Sequence, residues 1–132
     1  MMEGASYKFR PASPDDIAWF SQGTQYLPGP QFSGVVAYTD GPPLGMIGLD
    51  YWTHTAVQAH VKLDDVKVLA SLWREVVNYL RSHGLKLIIA VTPADNDLSI
   101  RLQKSLGFEE RYRQIDGWNT GIDMVLSEYR IP

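Results

Sequence analysis

Residues 64–91 read DDVKVLASLWREVVNYLRSHGLKLIIAV, and this stretch decides the fold class. Val66, Leu69, Ala70, Trp73, Val76, Val77 and Leu80 recur at i, i+3, i+4 and i+7, the stripe of an amphipathic helix. Asp64 or Asp65 stands where a side-chain oxygen caps a first turn, and Gly84 where a left-handed residue ends a last one. Leu85 to Val91 is apolar except for Lys86, which suits a strand buried on both faces. Upstream, Ala56 to Leu63 alternates, with Val57, Ala59, Val61 and Leu63 on one face and Gln58, His60 and Lys62 on the other. A strand, a helix and a strand in this order imply a right-handed crossover.

Towards the N-terminus, Tyr7 to Arg10 alternates apolar with basic and reads as a strand. Ser13-Pro14-Asp15-Asp16 combines an N-cap, a first-turn proline and two acids, so a short helix starts there, with Ile17, Trp19 and Phe20 as its apolar side. Ser21 to Gln31 reads as loop. Phe32 to Tyr38 and Leu44 to Trp52 form a hairpin around Asp40-Gly41-Pro42-Pro43. Towards the C-terminus, Pro93 to Asp97 breaks the strand. A helix follows from about Asp97 to Leu106, with Leu98, Leu102, Ser105 and Leu106 on one side and Gly107 at its end. Phe108 to Ile115 and Ile122 to Tyr129 are two last strands, joined by Asp116 to Gly121. The expected architecture is an α/β domain over residues 1–132, a mixed sheet with helices on both faces.

Composition narrows the function classes. With 45% hydrophobic and 20% charged residues, the 132-residue chain has the make-up of an ordinary globular protein. A net charge of −3 gives no electrostatic footprint for nucleic acid or an anionic membrane. The chain has no cysteine, which excludes disulfides, thiolate nucleophiles and cysteine-ligated zinc. No metal-ligand spacing, Gly-Lys-Ser/Thr phosphate loop or Gly-x-Ser-x-Gly elbow appears. Met1 to Arg10 lacks the apolar run of a leader, so the expected location is the cytoplasm.

The element order resembles the GNAT (N-acetyltransferase) superfamily, and Asn96, Ser99, Leu102, Gly107 and Phe108 carry the sharpest local match. Members of that family place an asparagine, a small residue, an apolar one and Gly-Phe at these spacings. They usually place a tyrosine where this chain has Gln103. The stretch Tyr51 to Val61, with Asp116-Gly117-Trp118 and Gly121-Ile122-Asp123, is similar to a narrower branch, the small GNAT-like proteins of tailed phages and prophages. The resemblance implies a mostly antiparallel sheet of six to seven strands with a splayed central pair. It also implies acetyl-CoA as acyl donor and, for the phage branch, host cytoplasm or virion as location.

The donor motif of that family is degenerate here. Its [QR]-x-x-G-x-[GA] loop lets backbone N–H groups at a helix start approach the pyrophosphate. Here the loop reads Asp64-Asp65-Val66-Lys67-Val68-Leu69, with no glycine and two carboxylates. Weak or lost acetyl-CoA binding is therefore expected, with Val61, Leu63, Val66, Lys67, Asn96 and Gln103 as the candidate contacts. Asp64, Asp65 and Asn96 are equally plain helix caps. A glutamine at 103 cannot act as a general acid at neutral pH. His60 is the candidate catalytic base, its bland alternative being a histidine hydrogen-bonded in the sheet; a position inside the gap between its strand and the next is expected. Trp52 and Trp118 either wall a cleft, bind a partner or pack. Two functions stay open. One is a divergent acyl-CoA-dependent N-acyltransferase with an unidentified amine acceptor. The other is a non-catalytic GNAT-fold phage structural, accessory or host-interaction protein with a protein partner.

Overall fold

Local signals at each helix start and hairpin turn lay out a seven-stranded sheet over the residues described by this computed structural model, 7–24 and 32–132. The elements are β1 (Lys8–Pro11), α1 (Pro14–Thr24), β2 (Ser33–Tyr38), β3 (Gly45–Tyr51), β4 (Ala56–Leu63), a 3₁₀ turn (Val66–Val68), α2 (Leu69–Ser82), β5 (Leu87–Pro93), α3 (Asp97–Leu106), β6 (Glu109–Asn119) and β7 (Ile122–Arg130). The spatial order is β1-β2-β3-β4-β5-β7-β6. Every adjacent pair is antiparallel except β4–β5, the pair bridged by α2. Among the described residues no helix is long and apolar enough to cross a membrane.

The start of α1 is a reciprocal capping box. Ser13 Oγ accepts from Asp16 N (3.2 Å) and Asp16 Oδ2 accepts from Ser13 N (3.0 Å). Arg10 of β1 then donates to both carboxylate oxygens of buried Asp16, at 2.9 and 3.2 Å, tying helix to sheet. The helix runs to Thr24, so residues 21–24 of the expected loop are helical; residues 25–31 of that loop lie outside the described residues. Phe20 packs with Phe32, Val36 and Met46 and fixes α1 on one face of β2 to β4.

α2 covers the opposite face. Leu72, Trp73, Val76, Val77 and Leu80 meet Ala37, Ile47, Leu49, Val57 and Ile88 in the main core. The stripe differs from the sequence reading: Leu72 is buried, while Ala70 and Val66 face outward. The reason is the helix start. Val66–Val68 is a 3₁₀ turn, and the α-helix begins only at Leu69, so Val66 falls out of phase with the stripe, whereas Leu69, Trp73, Val76, Val77 and Leu80 are buried as expected. The C-terminus closes as expected on Gly84 (φ 82°), with Leu85 N donating to Leu80 O (3.0 Å) in a Schellman pattern. That turn consumes Leu85 and Lys86, so β5 begins at Leu87 and extends through Pro93.

α3 is capped by Asn96, whose Oδ1 accepts from Ser99 N (3.1 Å), and ends on left-handed Gly107 (φ 105°). Leu102 and Leu106 are half-buried, but Leu98 is exposed and not on the packed side as expected. Phe108, Trp73 and Tyr129 close the core behind this helix end, with Trp73 edge-on to Tyr129 at 5.2 Å. The last hairpin is longer than the sequence suggested. β6 continues to Asn119 through two register shifts, and Asp116 sits at φ 55° with its side chain accepting from Gly121 N.

Candidate functional site

The site is a break in the one parallel ladder. β4 and β5 pair at Ala56–Leu87, Val57–Ile88 and Gln58–Ile89, and there the ladder stops, although β4 continues to Leu63 and β5 to Pro93. Backbone alternation says which groups face the opening. Thr55 O accepts from Leu87 N of β5, whereas Ala56 O accepts from Trp52 N next to β3, and Asp64 N donates to Leu44 O on that same side. Odd-numbered residues of β4 thus direct their N–H and C=O groups towards β5. Beyond the last pair, Val61 and Leu63 present these groups to the gap. Val61 is an exposed apolar residue, as are Val66 in the 3₁₀ turn after β4 and Leu98 in the first turn after β5.

On the far side of the gap, Gln103 spans α3 and β5. Its Nε2 donates to Thr92 Oγ1 of β5 (2.6 Å) and to Ser99 Oγ (3.2 Å), while its Oε1 is buried without a protein partner. A buried acceptor left unsatisfied costs about 1–3 kcal/mol. That amide suits a ligand carrying an N–H.

The start of α2 is different in kind. Asp65 Oδ1 accepts from Lys67 N (3.0 Å), and Val68 N donates to Asp65 O (3.1 Å). The N–H groups that would meet a pyrophosphate are thus engaged within the turn, one of them by a carboxylate. Asp64 is exposed beside it. Of the two acids, Asp65 supplies the expected cap. The residues around the gap fit the amide-bearing pantetheine arm of a thioester donor; those at the helix start do not fit its diphosphate. Asn96 serves as helix cap, its Oδ1 taken by Ser99 N.

His60 lies one residue before Val61, pairs with Gly48 of β3, and leaves β4 on the α1 face. Its Nε2 is 3.4 Å from Asp50 Oδ2, and the Phe32 ring lies beside it, tilted by 47° with centroids 6.4 Å apart. Gly48 makes that arrangement possible, since a Cβ there would fall 2.3 Å from the Phe32 ring. The expectation that His60 points into the β4–β5 gap is therefore corrected. Side chains stand perpendicular to a sheet, and only backbone groups can point between two strands. Burial pushes the imidazole pKa below its ordinary value, and the Asp50 carboxylate opposes that shift. Asp50 escaped the sequence reading. The hairpin register alone places it diagonal to His60 on the same face, and that signal was present.

Trp52 and Trp118 do not pack as core. Trp52 is 50% exposed and Trp118 51%, and Trp52 Nε1 donates to Gln58 Oε1 (3.1 Å). Arg111 and Arg113 are occupied by Glu109, Glu128 and Glu110, as a solvated strand face would have them. Two open surface depressions lie elsewhere, one of about 490 Å³ at Tyr51 to His54 and one of about 310 Å³ between Tyr7 and Asn78. The gap differs from both in having unpaired strand backbone on β4 and, on the β5 side, a Gln103 amide oxygen without a protein partner.

Comparison with solved structures gives the architecture its place. A ribosomal-protein alanine N-acetyltransferase from Escherichia coli superposes with a TM-score of 0.79, at 14% identity, over 96% of this chain and 94% of that one. Ard1 from Thermoplasma volcanium gives a TM-score of 0.80 at 18% identity, over 97% of this chain and 99% of that one. The chain has the GNAT fold. A putative acetyltransferase from Salmonella typhimurium, solved with its cofactor acetyl-CoA, matches at a TM-score of 0.66 and 19% identity, over 89% of this chain and 73% of that one. No protein-family model and no curated protein sequence matches the chain. At these identities the GNAT likeness is one of fold.

Proposed function

We propose that the protein is a divergent N-acyltransferase that moves an acyl group from a pantetheine thioester, the class to which acetyl-CoA belongs, to an amine. The observation that carries this is the parallel ladder that stops after three pairs and leaves Val61 and Leu63 facing an open gap. An amide-bearing arm can add to that edge as a short strand, with N–H and C=O groups meeting their complements. When bound, the thioester supplies an acyl carbon whose C–S bond breaks as its bond to the amine nitrogen forms, the sulfur leaving as thiolate.

This chain's own residues supply the rest. The N–H of Val61 polarises the carbonyl from the gap, a donor fixed by the strand before any substrate arrives. Asp50, whose carboxylate lies 3.4 Å from Nε2, orients the His60 imidazole, which accepts the proton that the amine loses. Burial keeps the imidazole neutral near pH 7, the form a base needs. The amine approaches on the α1 face, where His60 lies. Gln103 holds the arm through its amide oxygen and supplies no proton.

The test is acetyl transfer to a panel of primary amines and peptide N-termini. His60→Ala should slow transfer on the order of 100-fold, the lower range for loss of a general base, with donor affinity unchanged. Full activity in that variant ends the role given to His60. A second reading, a non-catalytic GNAT-fold protein with a protein partner, draws support from the Asp65 carboxylate at the helix start. No transfer to any amine and no donor binding would favour it.

A further inference from the structure

The two halves of the donor site disagree, and the disagreement identifies the donor. This inference rests on the N-acyltransferase reading. The half that would meet the pantetheine arm is open: backbone groups of Val61 and Leu63 face the gap, and on the β5 side the Oε1 of Gln103 has no protein partner. Thr92 and Ser99 hold that amide from its other end, so its orientation is set before binding. The half that would meet the phosphates is closed. Lys67 N is bonded to the Asp65 carboxylate, Val68 N to Asp65 O, and Leu69 N to Val66 O. Asp64 and Asp65 outnumber the one cation of the turn, Lys67. A diphosphate placed there would meet like charge and no free turn of N–H donors.

We propose that the acyl donor is recognised by its pantetheine arm alone, and that the phosphorylated nucleotide of coenzyme A adds nothing to binding. The chemical class is an acyl-pantetheine thioester whose far end extends past Asp64 into solvent. A free acyl-pantetheine has this chemistry, and so does an arm carried on a protein.

The experiment is a calorimetric titration of the full chain with acetyl-pantetheine and with acetyl-CoA at two salt concentrations. Acetyl-pantetheine should bind at least as tightly as acetyl-CoA, and added salt should strengthen only the latter by screening the two carboxylates. Asp65→Asn keeps an oxygen for the Lys67 N–H and removes the charge. It should tighten acetyl-CoA by about three-fold and leave acetyl-pantetheine unchanged, with the melting temperature as the control for folding. Acetyl-CoA binding three-fold or more tightly than acetyl-pantetheine to the unaltered protein overturns the inference and leaves the N-acyltransferase reading standing. Failure of both donors to bind overturns that reading as well. An acylated carrier protein forms the last arm of the experiment. Tighter binding than the free thioester assigns the donor to a carrier, and equal or weaker binding assigns it to the free molecule; both outcomes support recognition by the arm.

Discussion

Gly107→Val tests the end of α3, which sets where Gln103 lies against β5. Two costs add at that position. The backbone sits at φ 105°, where a β-branched residue is strained by about 1–2 kcal/mol. A Cβ would also lie 3.2 Å from Tyr129 Cε1, and Tyr129 makes the edge-on contact with Trp73 at 5.2 Å. Displacing that ring should cost about another 1 kcal/mol, the usual range for an aromatic pair. Gly84 is the internal control. Its φ is 82°, yet nothing lies within 4 Å of a Cβ there, so Gly84→Ala reads backbone strain alone. For a chain of this length, 1 kcal/mol moves Tm by about 4 °C. Calorimetric melting should therefore give a loss of about 4 °C for Gly84→Ala and about 8–12 °C for Gly107→Val. Equal losses in the two variants would refute the contact with Tyr129. An unchanged Tm for Gly107→Val would refute the helix end itself.

Asp16→Ala should cost about 2 kcal/mol at pH 7, because it leaves the Arg10 guanidinium and the Ser13 N–H without their acceptor. Burial pushes the Asp16 carboxyl up, but the Arg10 guanidinium and the Ser13 donors outweigh it and hold the group below the ordinary carboxylate value. Its contribution is thus present above about pH 4 and fades as pH falls through the folded-state value; urea melts from pH 7 to pH 3 should show the variant and the parent converging. His60 gives a slope of the same sign at higher pH. Its folded-state pKa is lowered, so the unfolded chain binds the extra proton first and the parent loses stability as pH falls below about 6.5. His60→Gln should lack that part of the decline, and identical slopes in the two proteins would show that the imidazole is not held neutral.

The fold was legible because its signals are local and agree with one another. The α2 stripe, the alternation of β4 and the Ser13 and Asn96 caps each depend on neighbours a few residues away. The end of the ladder after Gln58 was expected only through the family resemblance, since unpaired strand residues look like paired ones. The phase shift at Val66 depended on a side-chain bond, Asp65 to Lys67 N, that competes with an α-helical start. Within the site, His60 and Gln103 stood out by residue type and spacing. Asp50, Thr92 and Ser99 did not, because their partners lie across strands or on another element. The bulged path of β6 was hidden for a similar reason. Asp116 and Gly117 read as a turn, and the side chains of Asp116 and Asp123 carry the strand past them.

The gap between β4 and β5 is the centre of the account, and an amide-resolved NMR titration with acetyl-pantetheine tests it most directly. The backbone N–H signals of Val61 and Leu63 and the side-chain amide of Gln103 should shift together and saturate at one concentration, while the signals of β1 and β6 stay fixed. Saturable shifts confined to other strands, or no shift at Val61 up to solubility, would contradict it.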